Sequence, residues 1–386
     1  MRLRTWILVS LCLVGAACDD FRGKPRAPAE LAPAASTPAP QAPSGYVAPY
    51  GSGGGAVPAA VPSNTQVATI DAPPMPAPAA GSTTREGKAI DTADLTAGAA
   101  GQDQRDVLIR AQVILDRAHF SPGVIDGRGG SNFRRALGAL EKANGLPTSP
   151  LSGAIWKAML SADNAPVTQD YVITAEDVKG PFLGSVPSDM AALARLPRLD
   201  YASPVQELAE KFHMDQALLR ALNPGADFGA AGSAIVVARP GGDPLPPVQR
   251  IEVDKSQDVV RAFGQGGKLV AQFPATVGST ERPAPSGTWA VRAVATNPTY
   301  TYDPRRLTFG DTSNGVLKLA PGPNSLVGTT WIALTASTYG IHGTPDPTKI
   351  GKTASHGCVR LTNWDAAALG HAVRKGTPVV FVGGAG

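Results

Sequence analysis

Cysteine is scarce in this chain. Its 386 residues hold three, Cys12, Cys18 and Cys358. Two fall within the first 18 positions, so the rest of the chain carries a single thiol and no disulfide framework of its own. Histidine is nearly as thin, with five, of which His342 and His356 lie shortly before Cys358. Charged residues make up 17% and the net charge is +4, with no dense run of Lys and Arg. That excludes a phosphate-tracking surface, and no nucleic-acid partner is expected. Long apolar runs are also missing. The strongest, residues 6–14, is too short to span a bilayer as a helix. What the chain has in excess is Gly (43) and Pro (36), together more than a fifth of it and unevenly spread. Such a bias marks part of the chain as unable to build a packed core.

The N-terminus reads as an export signal. Arg2 and Arg4 form a positive start, residues 6–14 an apolar centre, and Gly15, Ala16 and Ala17 a small-residue cleavage site. Cleavage after Ala17 leaves Cys18 first. The pattern resembles a bacterial lipoprotein signal, with 1–17 removed and Cys18 lipidated as a membrane anchor; Gly15 departs from it, where a larger aliphatic residue is usual. Secretion with an unmodified Cys18 is the alternative. Either route leads out of the cytoplasm, with a periplasm as the expected destination. A lone thiol in an oxidising compartment points to a reactive residue rather than to packing filler.

Residues 18–101 are rich in Pro, Ala, Gly and Ser and read as a disordered tether, reaching on the order of 50 Å as a coil. Order is expected from about residue 103. Val107, Leu108, Ala111, Ile114 and Leu115 recur at helical spacing. Further helices are expected over 132–143 and 151–160, with a turn at Ile125, Asp126 and Gly127 between the first two. Three short helices with this turn, Gln112 and Trp156 resemble the peptidoglycan-binding domain type 1 family over 102–165. In 166–247, Ser203 and Pro204 open a helix, a second covers 215–222, and 232–238 reads as a strand. A first strand is expected near 198–201. With the Leu-Asn-Pro run at 222–224, this segment resembles LysM, a small glycan-binding module.

From residue 248 onward the pattern is mainly β. Strands are expected at 251–254, 259–263, 268–273, 275–278, 288–294, 317–319, 331–335, 339–342 and 378–382. One clear helix covers 366–373, capped by Asn363 or Asp365. A sandwich or barrel-like domain over 248–386 follows, so the chain as a whole is multidomain.

The chemistry concentrates at Tyr339-Gly-Ile-His342-Gly343-Thr344 and at the run SHGCVRL, residues 355–361. A cysteine attacks carbonyls as thiolate and needs a base or a positive field nearby. His356, two residues before Cys358, and His342, sixteen before it, are both candidate bases; spacing does not choose between them. Gly357 lets a substrate approach the backbone, where the N–H groups of Gly357 and Cys358 could face an oxyanion. Arg360 could bind a substrate carboxylate or brace the loop. Trp289 and Trp331 read as core residues, and Tyr339 as either core or cleft.

These two runs, with Pro285-Ser-Gly287 upstream, resemble the L,D-transpeptidase catalytic (YkuD) family over 249–383. The resemblance implies Cys358 as nucleophile and His342 as base, with the Gly343 carbonyl orienting the imidazole. It implies an oxyanion hole from the N–H groups of His356, Gly357 and Cys358, and a site shaped by Ser355 and Arg360. Its implied reaction is acyl transfer in cell-wall biogenesis. A peptidoglycan stem tetrapeptide loses D-alanine to form a thioester, which the diaminopimelate amine of another stem resolves into a cross-link. No metal or organic cofactor is implied. Water or a lipoprotein lysine as acceptor, and a wall-binding anchor without catalysis, are the competing readings.

Overall fold

The structure is a computed structural model that describes residues 80–95, 101–278, 283–306, 315–353 and 357–384. Its first part holds α1 (Arg85–Thr92), α2 (Gln102–Arg117), α3 (Ser131–Ala143), α4 (Gly153–Ala162), β1 (Thr168–Val172), α5 (Met190–Ala194), α6 (Pro204–Lys211), α7 (Gln216–Leu222) and β2 (Ala234–Ala238). The apolar stripes read from the sequence face inward, and α6 begins as expected, with Ser203 Oγ accepting the Gln206 N–H and Pro204 in the first turn.

Three expectations are corrected here. The tether was expected to run through residue 101, but α1 lies within it. Thr84 caps this helix by accepting the Gly87 N–H, Ile90 is fully buried, and Asp91 accepts the N–H groups of Val167 and Thr168, both at 2.8 Å. One buried isoleucine in a polar stretch gives no periodic signal; the helix is held by its capping and by Asp91. The strand expected near 198–201 is instead β1, antiparallel to β2 from Thr168 opposite Ala238 to Val172 opposite Ala234. Gln169 and Asp170 are polar and Val172 is exposed, so β1 shows no clean alternation. Leu199 bonds instead to the loop at 321–324, through Leu199 N to Pro321 O and Asn324 N to Leu199 O, both 2.9 Å. Finally, a boundary was expected at 165/166, yet one core runs across it and includes Ile114, Leu137, Trp156, Leu208 and Val237. Ile125 N to His213 O (2.8 Å) and Asp215 N to Ile125 O (3.0 Å) join the two stretches.

The second part holds β3 (Arg250–Asp254), β4 (Val259–Phe263), β5 (Leu269–Pro274), β6 (Thr276–Val277), β7 (Gly287–Thr296), β8 (Tyr300–Tyr302), β9 (Leu317–Leu319), β10 (Thr330–Leu334), β11 (Gly340–His342), β12 (Val359–Arg360), α8 (Asn363–Ala372) and β13 (Pro378–Val382). Nine strands pair in the order β5-β4-β3-β13-β7-β10-β11-β12-β6. The two outermost, β5 and β6, are separated along the chain only by Ala275. A sheet whose ends are joined by one residue must curl back on itself, so the domain is a mainly β, barrel-like roll. Ile251, Val253, Val260, Ile332, Ile341 and Val379 fill it, and α8 packs on β10 and β11. The cap of α8 is Thr362, which accepts the Asp365 N–H, rather than Asn363 or Asp365. Asn363 is engaged elsewhere, as described below.

The helical part meets the roll at the edge strand β5. Ser121 N donates to Gln272 O at 2.9 Å and Gln272 N to His119 O at 3.0 Å, so the edge is covered by backbone pairing. The hairpin β8–β9 stands apart from the roll and packs Tyr302 and Leu319 against Leu193 and Leu199.

Candidate active site

The site is built by the register of two short strands. β11 and β12 run parallel, Ile341 opposite Val359 and His342 opposite Arg360. Side chains alternate across a strand. Ile341 and Val359 therefore turn into the core, and Gly340, His342, Cys358 and Arg360 are left on the opposite face. Cys358 stands just before β12, and the N–H of Gly340 bonds its thiol. Gly357, preceding it, has φ of 107°, a conformation that suits glycine.

His342 is 3% exposed. Its Nδ1 lies 2.7 Å from the Gly343 carbonyl oxygen. A carbonyl only accepts, so Nδ1 carries the hydrogen and the Nε2 lone pair is left as acceptor. The ring stacks on Trp331, with centroids 5.2 Å apart and planes at 19°. Trp331, expected as plain core, therefore fixes the plane of the imidazole. Burial first, and then the Arg360 charge, push His342 down to about 3, against the pull of Gly343. The imidazole is neutral at physiological pH. Burial pushes the Cys358 thiol up, while the Gly340 N–H and the Arg360 charge pull it back. Thiol and imidazole are therefore both neutral at physiological pH.

The turn after His342 is held from α8. Asn363 Oδ1 accepts the N–H of Thr344 at 3.1 Å and of Thr329 at 3.2 Å. It lies so close to Gly343 that a Cβ there would fall 2.1 Å from it. Residue 343 is glycine because the amide of Asn363 fills the space.

Of the residues expected to act, Cys358, His342, Gly343, Gly357 and Arg360 come together. Tyr339 packs against the core of the roll. Ser355, His356 and Cys18 lie outside the described residues. Sequence reasoning missed Asn363 as a brace and missed Tyr300. Burial first and then Cys358 push the Tyr300 phenol up to about 12, while Arg360 pulls it back, so the phenol is neutral at physiological pH. Alternation within residues 300–302 places both tyrosines on one face. Nothing in that run, however, tells which element the face meets.

Comparison with known proteins bears on the same segment. The model of the L,D-transpeptidase catalytic domain family (YkuD) matches residues 248–381. YkuD of Bacillus licheniformis is 31% identical over 169 residues, covering 42% of this chain and 84% of that protein. YkuD of Bacillus subtilis is 28% identical over 179 residues, covering 46% and 92%. Among solved structures, an L,D-transpeptidase from Mycobacterium smegmatis matches at 21% identity with a TM-score of 0.29, over 40% of this chain and 64% of that one. With the thiol–imidazole pair carried inside the matched segment, the chain belongs to the L,D-transpeptidase catalytic domain family and is a transpeptidase.

Proposed function

We propose that the protein is an exported peptidoglycan L,D-transpeptidase that forms diaminopimelate–diaminopimelate cross-links through a thioester on Cys358. The observation that carries this is the β11–β12 register, which sets Cys358, His342 and Arg360 on one face with Nε2 of His342 free to accept a proton. Sγ of Cys358 attacks the carbonyl between the L-centre of diaminopimelate and the terminal D-alanine of a stem tetrapeptide, and His342 Nε2 takes the thiol proton. The oxyanion is met by the N–H groups of Gly357 and Cys358, with His356 as a further donor; each such donor lowers the barrier by about 3 kcal/mol. The intermediate collapses as His342 returns the proton to the departing D-alanine amine. The amine of a second stem then attacks the thioester, His342 takes its proton, and Cys358 is released as thiol. Arg360 favours the thiolate as it forms, and Tyr300 bounds the cleft beside the sulfur.

Upstream, the signal-like residues 1–17 and Cys18 support export with a lipid anchor. The resemblances over 102–165 and 166–247 support contact with wall glycan. Intact-protein mass after incubation with a stem tetrapeptide or a carbapenem tests the chemistry. We expect an acyl adduct on the wild type and none on Cys358→Ala; an adduct that persists in Cys358→Ala overturns the assignment. Muropeptide profiles of a deletion strain identify the acceptor. Loss of diaminopimelate–diaminopimelate dimers supports cross-linking, whereas unchanged dimers with accumulated tetrapeptide support water as acceptor.

A further inference from the structure

Glu210 of α6 lies well outside the segment that matches the transpeptidase family, yet it is bonded to the catalytic turn through one residue. Its carboxylate oxygens lie 3.0 and 3.1 Å from Nδ2 of Asn363, and the Tyr201 hydroxyl donates to it at 3.1 Å. Asn363 Nδ2 also donates to Pro323 O, at 3.3 Å. The other end of the same amide, Oδ1, accepts the N–H groups of Thr329 and Thr344. An amide side chain can sit either way round. Here acceptors face one end and donors the other, so one orientation satisfies every group. The reversed amide would aim N–H at N–H and oxygen at a carboxylate. Burial pushes Glu210 up to about 7, against the pull of the Asn363 and Tyr201 hydrogen bonds; above that pH it is a charged acceptor, and hydrogen bonds to a charged acceptor are the stronger ones. The path continues without a gap. Thr344 follows Gly343, whose carbonyl holds Nδ1 of His342 at 2.7 Å, and whose α-carbon leaves room for the Asn363 amide alone.

From this geometry we infer that Glu210 is a positioning residue for acyl transfer: it fixes the Asn363 amide and, through the 342–344 turn, the aim of the His342 imidazole at Cys358. The inference rests on the reading of His342 as base. It makes the helical part a working portion of the catalytic unit, since α6 supplies a group that the family segment does not contain.

The test uses the full chain, with active thiols counted by titration so that rates refer to folded sites. First-order acylation by a carbapenem at saturation is compared across variants. Glu210→Ala is expected to slow acylation about tenfold per titrated site, with half-saturation unchanged, because aim rather than binding is lost. Glu210→Gln keeps an acceptor for Asn363 Nδ2 and is expected to recover most of the rate. Asn363→Ala is expected to cost about tenfold alone and little more in the Glu210→Ala background, because both act through one amide. Val186→Ala, which lines the same cavity of about 450 Å3 as Glu210, is expected to leave the rate unchanged. Hydrogen exchange at the Thr344 amide, read without any turnover, is expected to quicken in Glu210→Ala. Costs that multiply in the double variant, or a loss confined to the number of titratable sites, would overturn the inference, as would unchanged Thr344 exchange. A wild type that fails to acylate would sink the functional reading instead, and Thr344 exchange would still decide the positioning.

Discussion

Arg360 acts on both members of the thiol–imidazole pair in the same direction. Its charge holds the Cys358 thiol below where burial alone would put it and pushes His342 further down. Arg360→Gln should raise both. The imidazole stays neutral near pH 7, because burial is the larger cause of its depression. The thiol becomes harder to ionise, so the rising limb of acylation rate against pH should move to higher pH. The rate at pH 7 should fall by up to about tenfold for each unit by which the thiol rises. A pH–rate profile of carbapenem acylation checks this; a profile that keeps its limb in place would mean the arginine only braces the loop. Gly343 shows what a sequence can say at this scale. The His342-Gly343-Thr344 run is legible as a motif because its residues are neighbours in the chain. The reason for the glycine, the Asn363 amide against it, comes from twenty residues further on and leaves no local trace.

At the scale of the element, α8 buries an acid where it meets the helical part. Asp365 is pushed up to about 7, by burial and by Asp116, while Thr362, His213 and Ser121 pull it back. Ser121 Oγ donates to it at 2.9 Å. A folded value above the unfolded one means that the folded state holds this proton more tightly. The stability it contributes is complete below about pH 4 and lost as pH rises through 7. Asp365→Asn should therefore gain stability over the wild type at pH 8, by up to about 4 kcal/mol, and show little difference at pH 4. Part of the gain is given back because His213, stacked on Trp364 and 3.2 Å from Asp116, loses an ionic neighbour. Urea unfolding of both proteins at the two pH values reads the difference. None of this was visible beforehand, since the sequence offered Asp365 as a helix cap. The cap is Thr362, and Asp365 is buried against a loop 244 residues away in the chain.

Across the whole molecule, the helical part and the roll share polar contacts that neither can replace alone. Residues 119–121 cover the β5 edge, Asn132 Nδ2 donates to Ile350 O at 2.9 Å, and Gln272 Nε2 donates to Arg135 O at 2.9 Å. A fragment of residues 248–384 would expose that edge, strip Glu210 from Asn363 and leave Tyr302 and Leu319 without Leu193 and Leu199. Such a fragment is expected to melt below the full chain and to self-associate through the open edge. Calorimetry and size-exclusion chromatography of both would show it, and equal melting points would make the two parts independent. Most helices and strands were legible because their apolar spacing is strong. The shared core was not, because periodicity shows which face of an element is buried and not what buries it. The polar strand β1 and the capped helix α1 escaped because neither rests on an apolar stripe: β1 is held by its backbone ladder to β2, and α1 by its cap and by Asp91.

The place of β13 has a consequence for how this protein comes into being. That strand lies between β3, made about 130 residues earlier, and β7, and it joins the two flanks of the nine-stranded sheet. A nascent chain that has not yet reached Pro378–Val382 lacks the seam of its own roll, however much of the motif has been translated. Pairing across such separations is slow to find. Cys358, the proposed nucleophile, thus meets Arg360 and the His342 ring stacked on Trp331 only after synthesis has passed all of them. Until then the sulfur is an ordinary cysteine.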